Sequence, residues 1–252
     1  MGFYEQFADH YGQVTGQHDR QPKVSDFLGR LLRRHPAERA LDVACGTGLF
    51  AIELARRGVS TVGADLSSAM IAQARAAARE ADVGIDWLVA PMQELGDRLA
   101  GPFDLLLCMG NSLPHLLEEA DLAAALSGFA DLLAPGGLAV VHLLNYDRIL
   151  TGRQRLVGIN RDDAGREYVR FYDFLDNGRV RFNLLSIDWS GGGEATHELI
   201  GTELRPYTQS ELTDALQAAG FDAVEPTAGL SLEPYNPLAS GSLTLLAWKR
   251  HT

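Results

Sequence analysis

The sequence predicts an α/β protein: a Rossmann-like, mostly parallel sheet with an antiparallel β-lid inserted late in the chain. Three observations carry this. From about residue 40 to 143, short apolar runs alternate with longer stretches of helical period, the grammar of parallel strands joined by crossover helices. The first of those runs ends in a glycine-bearing turn, Cys45-Gly46-Thr47-Gly48, where such a sheet binds ligands. After Asp147 the pattern becomes segments of β-branched, aromatic and charged residues parted by glycine-bearing turns, as in antiparallel hairpins.

Taken in order, 24–34 reads as a helix stopped by Pro36, which has no backbone N–H to continue it; this helix is expected to cover the ligand cleft. Strands are expected at 40–44, 60–64, 85–90, 103–108 and 138–143, each short and apolar on both faces. Between them, 49–57, 67–81 and 118–133 are rich in Ala, Leu, Glu and Arg and read as crossover helices, with Ser67 and Ser68 available to cap the second. Three antiparallel strands follow at 166–175, 179–188 and 195–204, separated by Asp176-Asn177-Gly178 and Gly191-Gly192-Gly193. A helix at 208–219, closed by Gly220, and strands at 221–225 and 242–249 complete the chain. The whole of 1–252 is read as one domain, with 151–205 an embedded lid.

At 252 residues, 46% hydrophobic and 22% charged, the chain buries a substantial core and needs neither metal nor disulfide to fold. Its 33 acidic against 22 basic residues leave a net charge of −11, which disfavours nucleic acid and anionic membranes as partners. The two cysteines, Cys45 and Cys108, belong to no metal-ligand spacing, so no metal is expected. Reduced thiols, no apolar leader and no run of roughly 20 apolar residues point to a soluble, cytoplasmic protein.

The second expected strand ends in Gly63-Ala64-Asp65, which sets a carboxylate beside the glycine turn. Asp65 suits a ribose with two hydroxyls, and it also suits the start of the helix at Ser67; the two roles are compatible. Farther on, Cys108-Met109-Gly110-Asn111-Ser112-Leu113-Pro114-His115-Leu116 puts an amide, a hydroxyl and an imidazole on one short loop at the same sheet edge. Read without context, Asn111 and Ser112 are turn caps and His115 is a satisfied loop histidine; read as a site, they hold a small ligand.

In combination, Leu41-Asp42-Val43-Ala44-Cys45-Gly46-Thr47-Gly48, the acidic second strand end and the helix that follows resemble the class I S-adenosylmethionine-dependent methyltransferases. The loop 108–116, Asn145-Tyr146-Asp147 and Glu233-Pro234-Tyr235-Asn236-Pro237 resemble the glycine and sarcosine N-methyltransferases among them. The resemblance implies S-adenosyl-L-methionine as cofactor, held by Arg20, Ala44, Cys45, Gly46, Gly48, Asp65, Leu66, Met70, Met92, Gln93 and Met109. Ala90-Pro91-Met92-Gln93 would frame the adenine, although the same tetrapeptide also reads as a plain loop. Asn111 and His115 are the candidate catalytic residues. Asn111, Tyr146, Tyr207 and Tyr235 are expected to bind substrate, and Tyr4 and Tyr11 are further pocket aromatics by loose analogy.

The implied reaction is methyl transfer to a small-molecule acceptor, foremost an amine nitrogen. Oxygen or carbon methylation on the same fold, with His115 as base, is the alternative, as is a non-catalytic cofactor-binding protein acting through a partner. The partners expected are a small-molecule substrate and, as an option, a second copy of the chain. One residue departs from the resemblance: Leu144 stands where those enzymes carry an arginine for the substrate carboxylate. A larger, less anionic amine is therefore expected, unless another arginine such as Arg148, Arg153 or Arg155 replaces the missing cation.

Overall fold

The computed structural model describes residues 17–162, 164–190 and 194–251, so Tyr4, Tyr11 and the turn at 191–193 lie outside the described residues. The body is one sheet in the order β11-β10-β12-β5-β4-β1-β2-β3. Its parallel part comprises β1 (Arg39–Val43), β2 (Ser60–Asp65), β3 (Asp86–Val89), β4 (Phe103–Cys108) and β5 (Leu133–Leu144). The last strands, β10 (Phe221–Ala228), β11 (Glu233–Pro234) and β12 (Ser242–Lys249), extend it, with β12 wedged antiparallel between β5 and β10.

The reason these strands are apolar on both faces is visible in β4. Leu106 and Cys108 enter one core, with helices α5 (Glu119–Leu132) and α7 (Gln209–Ala218), while Leu105 and Leu107 enter another, with α1 (Gln17–Arg34) and α2 (Leu49–Ala55). Each face is covered by helices, as a parallel sheet requires. β3 departs from the expectation: it is the sheet's edge, and both its ends, Asp86 and Val89, are exposed. β5 is longer than the predicted 138–143, because Ala134-Pro135-Gly136-Gly137 loops out of its ladder with β4, an irregularity that proline and glycine favour.

Helix α1 also starts earlier than 24, carrying Pro22 inside it. It buries Val24, Phe27, Leu28 and Leu31, spaced as one helical face, against Phe50 and Leu54 of α2. It thus packs on a face of the sheet rather than over the cleft, and Arg20 lies within it rather than ahead of it. Ser67 caps the third helix, α3 (Ser68–Glu80), by accepting from the Met70 amide, and a Thr208–Glu211 capping box starts α7.

The lid is a separate antiparallel sheet, β6-β7-β8-β9: β6 (Leu156–Arg161), β7 (Glu167–Phe174), β8 (Val180–Asp188) and β9 (Thr196–Leu204). Three strands were expected; β6 is the fourth, and its glycine at 158 and its polar end, Asn160-Arg161, hide the alternation that marks a strand. Cross-strand rows Tyr172, Phe182, Thr202 and Gly158, Arg170, Leu184, Ile200 share one face, since residues two apart in a strand point the same way.

Candidate active site

Strand order reverses between β1 and β4, and at that point the carboxyl ends of β1, β2 and β4 align, with Val43 opposite both Ala64 and Cys108. The loops leaving them form the site. Asp65 holds the glycine turn: one carboxylate oxygen accepts from the Gly46 amide at 2.8 Å, the other from the Ser67 amide at 2.9 Å. Helix capping proper falls to Ser67, so Asp65 ties the turn to the next loop while keeping lone pairs for a ligand.

Gly48 sits at φ 82°, and a Cβ there would come within 2.7 Å of the Trp87 ring and 3.1 Å of the Ala74 Cβ. Backbone conformation and packing both demand glycine, on the side of the turn away from the cleft. Cys45 donates its amide to the Ala64 carbonyl, and its thiol is buried, with burial driving its pKa well up, so it stays protonated.

Gly48 has no side chain to cap α2, and Asp42 supplies the cap from β1, accepting from the Ala51 amide at 3.1 Å. Asp42 is 1% exposed, and burial first, then the neighbouring Asp65, push its pKa up to about 8 despite that hydrogen bond. A carboxyl whose pKa rises on folding stays protonated in the folded state while the unfolded chain ionises. Stability is therefore lost as pH climbs from about 4 to about 8 and is level above that. Asp42→Asn, which keeps the acceptor, should flatten this slope in cofactor-free protein and raise stability at pH 8 by on the order of 5 kcal/mol, at roughly 1.4 per pKa unit. Denaturant melts across that pH range test it; parallel slopes in the two proteins would refute it.

A cavity of about 380 Å³ opens above the turn. Of the residues expected at the cofactor, Ala44, Gly46, Asp65, Leu66, Met70, Met92, Gln93 and Met109 line it, and so does His115. Pro91, from the stretch expected to frame the adenine, and Leu116, from the expected polar loop, are also in its walls; the sequence reading missed Leu95 and Thr202, the latter reaching it from the lid. The size lies within the range of small-ligand sites, and the donor set suits S-adenosyl-L-methionine: a carboxylate for ribose hydroxyls at Asp65, and Met70, Met92, Leu95 and Leu116 around an apolar slot for the adenine.

Asn111, at φ 72°, sits between cavity residues Gly110 and Ser112. Its carbonyl oxygen accepts from the Leu144 amide at 3.0 Å and its Nδ2 donates to the Tyr146 hydroxyl at 3.0 Å, so the side chain clamps its loop onto the end of β5. Tyr146 is buried, 3.4 Å from the Tyr172 hydroxyl of the lid, and burial raises its pKa to about 12. Tyr207 and Tyr235 do not reach the cavity. Tyr207 is buried and donates to the Leu116 carbonyl at 2.6 Å, and Tyr235 donates to Asn145 and Asp147 at 2.6 and 3.0 Å. His115 faces the cavity, its pKa lowered to about 4 by burial, and is neutral near pH 7. Arg20 lies close enough to His142 of β5 to help depress its pKa, after burial, to about 4.

This fold and this site define a class I S-adenosylmethionine-dependent methyltransferase. A profile described as a methyltransferase domain matches residues 40–137. A glycine/sarcosine N-methyltransferase of Parasynechococcus marenigrum (strain WH8102) is 33% identical over 198 residues, 73% of this chain and 70% of the relative. Human glycine N-methyltransferase is 26% identical, with 94% of this chain and 89% of that protein aligned. The chain belongs to the S-adenosylmethionine-dependent methyltransferase family that contains these enzymes. Solved structures share the fold: a methyltransferase from Clostridium acetobutylicum ATCC 824 at TM-score 0.81 and 19% identity, covering 99% of this chain and all of that one, and the amino pentose methyltransferase CalS10 from Micromonospora echinaspora at 0.68 and 22%, covering 98% of each. Among the described residues no helix is long and apolar enough to cross a membrane.

Proposed function

We propose that this enzyme transfers a methyl group to the nitrogen of a small-molecule amine, within one domain whose segment 151–205 closes over the acceptor. The observation that carries the reading is the polar loop 109–116, fixed from three sides beside the cofactor cavity. Asn111 ties it to β5, the Arg205 amide bonds the Pro114 carbonyl at 2.8 Å, and Tyr207 holds Leu116. S-adenosyl-L-methionine supplies an activated methyl on sulfur. The chain's task is to hold the acceptor in line and exclude water, for which Thr202 and the lid face above it are placed.

Nitrogen is favoured over oxygen or carbon because the reaction then needs no strong base. His115, lowered to about 4, and Tyr146, raised to about 12, are both far from the neutral range that suits a general base. The net charge of −11 supports a small molecule rather than nucleic acid or an anionic membrane as partner, and a cytoplasmic enzyme is the setting we propose. The test is release of demethylated cofactor over a panel of small amines, alcohols and activated methylenes. Turnover confined to amines is the expected result; turnover confined to the other two classes, or tight cofactor binding with none, would overturn the reading.

A further inference from the structure

A second cavity, of about 440 Å³, lies between α1 and the turn Gly229–Ser231 that follows β10, and it shares no lining residue with the cofactor cavity. Lys23, Asp26 and Arg30 enter it from one face of α1, three and four positions apart. The hydrogen-bond acceptors of its walls are already engaged. Arg30 donates to the carbonyls of Ser231 at 2.6 Å and Leu230 at 2.9 Å, and it pairs with Asp26 at 2.8 Å. The Ser231 hydroxyl donates to the Ala228 carbonyl, the Thr244 hydroxyl to that of Gly229, and the Asn145 amide to that of Gly241. Two side-chain donors are left over. Neither the Lys23 ammonium nor the Ser242 hydroxyl has a hydrogen-bond or ion-pair partner among the described residues. Gly229 leaves room for that hydroxyl, since a Cβ there would come within 2.5 Å of it.

Donors without acceptors define the ligand. With Asp26 neutralising Arg30, Lys23 is the one uncompensated charge among the described residues that line the cavity, a positive one in a chain of net charge −11. We propose that this cavity binds the anionic group, carboxylate or phosphate, of a small metabolite other than the cofactor and the acceptor, and that the bound anion adjusts turnover. Lys23 supplies the charge and Ser242 a hydrogen bond. The route to the reacting groups is short. Ser242 stands opposite Leu144 in the ladder of β12 with β5, and Asn111 holds the Leu144 amide at 3.0 Å. Strands β12, β5 and β4 are neighbours, so the cavity wall lies two strand spacings, about 10 Å, from the strand that carries the polar loop. An anion that orders Ser242 therefore orders the strand pair to which the loop 109–116 is tied.

The test has a binding arm and a kinetic arm. Inorganic phosphate and acetate are titrated separately into isotope-labelled protein in complex with demethylated cofactor, which fills the other cavity. At least one of them should move the amide resonances of Gly229, Ser231 and Ser242 with millimolar affinity, and the anion that binds tells carboxylate from phosphate. Lys23→Met should weaken this binding at least about tenfold and Ser242→Ala about threefold, while Lys23→Arg stays within about threefold of wild type. Cofactor affinity and anion-free turnover should change less than about twofold in all three, because neither residue lines the cofactor cavity. In the kinetic arm, the saturating anion should shift kcat at least about twofold in wild type and leave Lys23→Met unchanged. Neither anion moving those amides, or an equal response in Lys23→Met, would overturn the site; binding with kcat unchanged would overturn the regulation and keep the site. The binding arm needs no turnover, so its outcome is separate from that of the N-methylation reading.

Discussion

Asp65→Ala is expected to weaken binding of both S-adenosylmethionine and its demethylated product by about 100- to 1,000-fold, the largest effect of any single change at the cofactor. Hydrogen bonds to a charged group contribute roughly 1.5–3 kcal/mol each, and two ribose hydroxyls would lose theirs together. The substitution also releases the Gly46 and Ser67 amides that the carboxylate now holds at 2.8 and 2.9 Å, so the turn itself loosens. Asp65→Asn, which keeps one carbonyl acceptor, should fall between the two. Calorimetry decides; affinity within threefold of wild type for the alanine variant would remove Asp65 from the site.

Asn111→Ala should lower stability as well as turnover. The residue occupies a left-handed conformation that asparagine tolerates and alanine resists, and its loss strands the Leu144 amide and the Tyr146 hydroxyl. Together these cost about 3 kcal/mol, or roughly 6–12 °C in melting temperature for a chain of this size. Asn111→Asp, able to accept from the same amide and from the Tyr146 hydroxyl, should lose less than half as much. Turnover of the alanine variant should fall at least about tenfold at saturating cofactor, because the loop beside the reacting groups is no longer tied to β5. A melting temperature within 2 °C of wild type would show that the clamp contributes little. The amide's place in this clamp was not legible in the sequence, where Asn111 read either as a turn cap or as a residue that meets an amine.

Reading from residue to structure, the sequence by itself determined the parallel sheet, because burial on both faces forces runs such as 105–108 to be apolar throughout. It determined the glycine turn and the acidic strand end too: positive φ at Gly46 and Gly48 and the Asp65 tie to Gly46 are local consequences of residues within twenty positions. What it could not determine lies in contacts that exist only once strands and helices have packed. The cap of α2 comes from Asp42 on the preceding strand, because Gly48 has no side chain to provide one. Strand β6 escaped notice because Gly158, the residue that breaks its pattern, is shaped by the Arg170 guanidinium lying across it, a cross-strand requirement. Thr202 likewise joins the wall of a cavity built by residues about 90 to 160 positions earlier, and such long-range packing leaves no periodic trace in the sequence.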